Sequence, residues 1–234
     1  MSAPLAGSTA VVTGASRGIG RAIAIKLAVE TGADIALWAR DMAALRAVAG
    51  EIAAQRGKAR AIVVDVTDAD SVNRAAELVR ATMPPVRVVV NNAGAVLRKS
   101  TENITDAEWR KVIATNLDGT FHVTRAFLPQ LQHTMGRVIN IASRAGREGT
   151  SLLAAYCAAK HGVVGLTRAL AEELRTAKVC VNAICPGSVD TQMLREGMPG
   201  ARADMTPDDI ARTAVFLAHG APNALTGTCI DVFG

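Results

Sequence analysis

One tyrosine, two tryptophans and four phenylalanines are all the aromatic residues in this 234-residue chain, 3% of the total. Base stacking needs aromatic platforms, and the 26 Lys and Arg are spread along the chain instead of forming a stripe. The net charge of +5 and pI near 9.3 therefore do not point to a nucleic-acid partner. No unbroken apolar run approaches the ~18 residues of a membrane span. The opening MSAPLAGSTAVVTG has no basic segment followed by a long apolar one, so a cytoplasmic protein with no membrane partner is expected. Four cysteines, Cys157, Cys180, Cys185 and Cys229, lack C-x-x-C and zinc-ligand spacing. They suggest no metal site and are expected to be reduced core thiols. Internal repeats, low-complexity tracts and Pro/Gly/Ser linkers are also missing, so residues 1–234 are expected to form one domain.

What is present is an apolar content of 50% beside 20% charge, enough for a buried sheet flanked by helices. Short β-branched runs occur at 9–14, 34–40, 59–66, 86–94, 136–143, 178–187 and 228–233. Their near-continuous hydrophobicity is that of parallel strands buried on both faces. Helical patterns fill the gaps at about 19–31, 41–56, 68–82, 105–134, 152–175 and 207–219. Asp68 and Thr105 are expected N-caps, and Thr206 precedes Pro207 at a first helical position. Strict β/α alternation with short connections predicts a doubly wound, Rossmann-type α/β fold. Its sheet has seven parallel strands with helices on both faces, and ligands bind at the carboxyl ends of the strands.

Two stretches carry chemistry. The first is TGASRGIG, residues 13–20, directly after the first strand. Its glycines at 14, 18 and 20 miss the G-x-G-x-x-G spacing, yet a glycine turn opening a helix still lets backbone N–H groups and the helix dipole meet a pyrophosphate. Tight turns need glycine too, so the loop alone does not decide. The second is AAYCAAKHG, residues 154–162, where the only tyrosine, Tyr156, stands four before Lys160. On a helix the two share one face, which places a phenol and an ammonium together.

Taken together, six motifs in register resemble the short-chain dehydrogenase/reductase family over essentially the whole chain. They are the T-G-x-x-x-G-x-G at Thr13, Gly14, Gly18 and Gly20; the N-N-A-G at Asn91 to Gly94; Asn116 in TNLDGTF; Ser143 in NIAS; the Tyr156/Lys160 pair; and Pro186-Gly187 followed by Thr191. The resemblance implies a catalytic set of Asn116, Ser143, Tyr156 and Lys160. It implies cofactor contacts from Gly14, Ser16, Arg17, Gly18, Ile19 and Gly20, from Arg40, Asp65 and Val66, from Asn92, Ala93 and Gly94, from Tyr156 and Lys160, and from Pro186, Gly187, Val189 and Thr191. Asp65 would meet the adenine, although it also reads as a helix-entry carboxylate. Tyr156 would pass a proton to or from the substrate oxygen, Ser143 would hydrogen-bond that oxygen, and Lys160 would both tune the phenol and hold the nicotinamide ribose. A free phenol titrates near 10, about 3 units above the neutral range where proton transfer works best. Asn116 sits in a long helical pattern with Gly119 nearby. It implies either a local kink or, by the resemblance, a distorted turn holding a water of the proton relay.

In this family an acidic residue after the second strand meets the ribose of NAD, whereas an arginine meets the phosphate of NADP. Here the stretch is LWARD, with Ala39 where the acid falls, then Arg40, with Arg17 in the glycine loop. NADP(H) is the expected cofactor, with surface solvation as the other role for these arginines and Asp41 as a contrary sign. The segment 188–206 is expected to be a short substrate lid. Arg98 and Lys99 read more readily as solvated cations than as an anion site. TGASRGIG, ITDAEWRKVIATNLDGTF and GRVINIAS are in the style of the 3-oxoacyl-carrier-protein reductase branch, acting on a small or carrier-bound carbonyl. The ending TCIDVFG departs from that branch's VDGG. A sugar, sugar-acid or polyol dehydrogenase and a non-catalytic NADP sensor are the alternatives. A homotetramer is the assembly the resemblance implies.

Overall fold

The computed structural model describes residues 3–234. Seven strands form one parallel sheet: β1 (Thr9–Thr13), β2 (Asp34–Ala39), β3 (Lys58–Val63), β4 (Val86–Asn91), β5 (Arg137–Ile141), β6 (Cys180–Pro186) and β7 (Cys229–Val232). Their order is β3-β2-β1-β4-β5-β6-β7, so β1 pairs with β2 on one side and β4 on the other. Chain direction across the sheet reverses there, opening a crevice at the strands' carboxyl ends.

The burial of each strand follows from its place. Every residue of β1 and β6 is buried, whereas β3 and β7, at the two edges, are largely half-exposed. Adjacent residues point to opposite faces. Val12, Leu37 and Val90 pack with Ile23 and Leu27 of α1 (Gly18–Thr31), Leu45 of α2 (Met42–Ala54) and Ile210 of α8 (Pro207–Val215). Val11, Trp38 and Val89 pack the other way. There they meet Val72 of α3 (Ala69–Thr82), Phe127 of α5 (Gly119–Thr134) and Leu170 of α6 (Ala154–Glu173). Two further helices, α4 (Asp106–Ile113) and α7 (Gln192–Gly197), complete the chain.

The expected caps form. Asp68 accepts from the Asp70 amide at 2.9 Å, Thr105 and Glu108 make a capping box, and the Thr206 amide donates to Asp209 at 2.8 Å. The expected strands are too long at their carboxyl ends: Val64 to Val66, Asn92 to Gly94, Ala142 and Ser143 lie beyond the strand ends, in the loops that line the crevice, although the Val64 and Ala142 amides still donate to the Ala39 and Ile184 carbonyls at 3.0 and 2.8 Å. The expected continuous helix 105–134 is broken by a π turn at Ala114–Asp118. There Asn116 Nδ2 donates to the Val112 carbonyl at 2.9 Å and Thr120 Oγ1 to the Asn116 carbonyl at 2.8 Å, diverting the helical ladder. Gly119 fits because a Cβ there would stand 2.7 Å from Val66 Cγ2. The core-thiol expectation holds for Cys180 and Cys185; Cys157 and Cys229, also free, are only half-buried.

Candidate active site

The glycine loop and the N-N-A-G segment build the floor of the crevice by clamping to each other. Gly14 and Gly18 have φ of +62° and +54°, conformations that favour glycine. Asn92 Nδ2 donates to the Thr13 and Gly14 carbonyls at 3.0 and 3.2 Å. Thr13 Oγ1 accepts the amides of Asn92 and Ala93 at 2.9 and 3.0 Å. Gly20 is required by contact alone, since a Cβ would stand 2.3 Å from both Asn92 Nδ2 and the Gly14 oxygen. Arg17, at the N-cap of α1, makes no side-chain cap bond and no acid occupies the first turn, which leaves N–H groups and a positive dipole end for an anion.

One cleft of about 1050 Å³ brings together every site residue expected from the sequence except Gly20 and Asn116. Gly20 lies beneath it as packing. Asn116 stands behind Gly94, its Oδ1 2.9 Å from where a Cβ on that glycine would be. Asn116 Nδ2 also donates to the Ala95 carbonyl at 2.8 Å, while its Oδ1 is buried without a partner among the described residues. Asn91 donates to Thr124 and Asn140 at 2.9 Å each, and Asn140 to Thr167 at 2.9 Å, so a buried polar chain fixes β4 and β5 to α5 and α6.

α6 carries Tyr156 and Lys160 on one face, both buried, with the ammonium 5.6 Å from the phenol ring centre. Lys160 Nζ donates to the Ile141 carbonyl at 2.7 Å. Ser143 Oγ accepts the Ala145 amide at 3.1 Å, which orients it in the turn after β5. Burial pushes the Tyr156 phenol up to about 12, against a smaller downward pull from the neighbouring Ser143 hydroxyl. Burial also brings Lys160 down to about 8. Desolvation is thus the main influence on the phenol within the protein's own groups, and Lys160 is not among those influences.

At the other end of the cleft Asp65 sits below the usual carboxylate range because, against the upward push of desolvation, the Thr67 amide and hydroxyl bind it and the charge of the exposed Arg40 adds a smaller pull. Asp41, the contrary sign for NADP, is occupied as the N-cap of α2, accepting the Ala44 amide at 3.1 Å. Arg17 donates to Gln192 of α7. This donor set, an uncapped helix start beside two arginines, fits a phosphorylated dinucleotide. Lys99 is held by Glu108 at 2.9 Å, and neither Lys99 nor the exposed Arg98 lines the cleft.

Some residues of the site were invisible to motif spacing. Met193, on α7, places its sulfur 4.0 Å from the Tyr156 oxygen. Arg144 and Glu148 line the same cleft just beyond Ser143. The only signal for Arg144 was its adjacency to Ser143; Met193 has none.

The model of the short chain dehydrogenase family matches residues 8–200. The 3-oxoacyl-[acyl-carrier-protein] reductase FabG of Chlamydia trachomatis is 35% identical over 100% of this chain and 99% of its own length. Among solved structures, a Beutenbergia cavernae protein with bound NADP, proposed to be an NAD(P)-dependent gluconate 5-dehydrogenase, superimposes with a TM-score of 0.89. It is 40% identical over 97% of this chain and 95% of its own. A tryptophan variant of the actinorhodin polyketide ketoreductase with NADPH gives a TM-score of 0.91. It covers 97% of this chain and 96% of its own at 32% identity.

Proposed function

Because the chain belongs to the short-chain dehydrogenase family, we propose that it is an NADPH-dependent oxidoreductase that reduces a ketone to a secondary alcohol, with residues 1–234 acting as one catalytic domain. The observation that carries this reading is the cleft at the β1/β4 switch point, where Ser143, Tyr156 and Lys160 share one cavity with the glycine loop. In it Gly14 to Ile19 and the start of α1 take the pyrophosphate, Arg17 and Arg40 the 2′-phosphate, Asp65 and Val66 the adenine, and Asn92 to Gly94 with Pro186 to Thr191 the nicotinamide half. NADPH, when bound, supplies the hydride. Ser143 donates a hydrogen bond to the carbonyl oxygen and stabilises the charge gathering there. Tyr156, protonated at neutral pH, donates its proton to that oxygen. Lys160 holds the ribose and supplies positive charge beside the phenol, and Asn116 orders the proton path behind Gly94. Residues 188–206 act as the lid.

Sequence likeness supports a 3-oxoacyl group on a carrier protein as substrate. A second reading, a sugar-acid or polyol dehydrogenase, is favoured by the charged wall of Arg144 and Glu148 and by likeness to the B. cavernae protein. A cytoplasmic homotetramer completes the reading on resemblance alone. A non-catalytic NADP sensor is disfavoured because all four catalytic residues are present. The test is NADPH oxidation against ketones, acetoacetyl esters and keto-sugars. Tyr156→Phe is expected to bind NADPH as before and to lose about 10²-fold or more in kcat, the scale of general acid catalysis. An active Phe variant removes Tyr156 from the mechanism.

A further inference from the structure

The cations lining the cleft are Arg17, Arg21, Arg40, Arg144, Lys160 and Arg195. Most are committed. Arg17 donates to Gln192, Arg21 pairs with Glu51, Arg195 bonds Asp190 at 2.7 Å, and Lys160 donates to the Ile141 carbonyl. Arg40 lies at the far end of the cleft beside Asp65. Arg144 is different. It follows Ser143 directly, and among the described residues its guanidinium makes no hydrogen bond and its only ionic neighbour is Glu148, 3.6 Å from Nε. Among the described residues neither Nη group has a hydrogen-bond partner.

The guanidinium is nonetheless seated. It lies 4.3 Å above the centre of the Phe233 ring, and its Nη2 is 3.5 Å from where a Cβ on Gly187 would be. Phe233 belongs to the ending TCIDVFG, the stretch that departs from the related reductases. That departure therefore places a flat aromatic support under an arginine beside the catalytic serine. Stacking fixes the plane of a guanidinium while leaving its N–H edge pointing outward, the arrangement that suits a carboxylate. Val96, Leu153 and Met193 of the same cleft are apolar and offer an anion nothing.

We propose that Arg144, seated on Phe233, binds a carboxylate carried on the same molecule as the reacting carbonyl, so that the preferred substrate is an oxo-acid anion. This inference rests on the ketone-reductase reading and decides the substrate class within it, against a neutral thioester. The test compares NADPH-dependent kinetics on acetoacetate and 5-ketogluconate with those on ethyl acetoacetate and fructose. The acids are expected to be preferred in kcat/KM by about 10- to 100-fold, the scale of a charge-assisted hydrogen-bonded pair. Arg144→Gln is expected to abolish that preference through KM, Arg144→Lys to restore part of it, and Phe233→Leu to reduce it by loosening the seat. Arg98→Gln, on the surface outside the cleft, is expected to leave the preference as it was. NADPH affinity, read from nicotinamide fluorescence, is expected to stay within about 3-fold in Arg144→Gln, as for a group off the cofactor. Turnover of all four compounds with no preference for the acids overturns the inference and leaves the ketone-reductase reading standing. A loss of NADPH affinity in Arg144→Gln that matches its kinetic loss also overturns it, reassigning the arginine to the cofactor. No NADPH oxidation with any ketone, despite tight NADPH binding, removes both readings.

Discussion

At the scale of single residues, burial sets the direction of proton traffic in the proposed mechanism. With its phenol near 12, Tyr156 is protonated throughout the neutral range and ready to donate, while Lys160, near 8, still carries its charge at pH 7. Reduction needs the phenol as it stands. Oxidation of an alcohol needs the phenolate, whose fraction grows about tenfold per pH unit below the pKa. Alcohol oxidation with NADP is therefore expected to climb steadily between about pH 6 and 8, below the point where Lys160 loses its charge, while ketone reduction does not climb over the same interval. Initial rates in both directions across that range check it. A neutral optimum for oxidation places the working phenol far lower than its buried position does. The pairing of Tyr156 with Lys160 was readable from a spacing of four. Its desolvation was not, because the groups that bury it, Met193 among them, come from segments remote in sequence.

At the scale of elements, the strand and helix pattern was readable because parallel strands buried on both faces write themselves as apolar runs. The ends of the strands were not. Apolar residues such as Val64 and Val66 stay buried past the end of β3, so hydrophobicity cannot mark where the strand stops. Asn116 and Gly119 did signal weakness in their helix, and the π turn is its form. The glycine loop shows the same division. Positive φ at Gly14 and Gly18 is a local demand, whereas Gly20 answers to Asn92, a residue 72 positions away whose amide crowds it. Gly20→Ala forces a methyl group against the Gly14 backbone oxygen, a cost of about 2 kcal/mol or more. The expected result is a thermal midpoint lower by roughly 4 °C or more, with weakened NADPH binding. An unchanged midpoint refutes the clamp.

At the scale of the whole molecule, the cleft draws residues from both halves of the sheet, with Gly14, Ser16 to Ile19, Arg40 and Asp65 on one side and Ser143, Tyr156 and Lys160 on the other. A ligand there binds only when both halves are folded together. NADPH at about 100 times its Kd is expected to add about 2.7 kcal/mol to stability, a rise of roughly 5 to 10 °C in thermal midpoint. In Arg40→Ala the rise given by NADPH is expected to shrink while that given by NADH stays, because only the first ligand carries the extra phosphate. Equal changes for the two ligands remove Arg40 from cofactor choice. Synthesis delivers β1 first, yet its partner β4 begins only at Val86. Until that strand has left the ribosome, Thr13 and Gly20 have nothing to close against, and the central strand waits with one edge bare. A nascent chain halted before β4 holds the sequence of the phosphate loop without its shape, and exposes a strand edge that invites other chains.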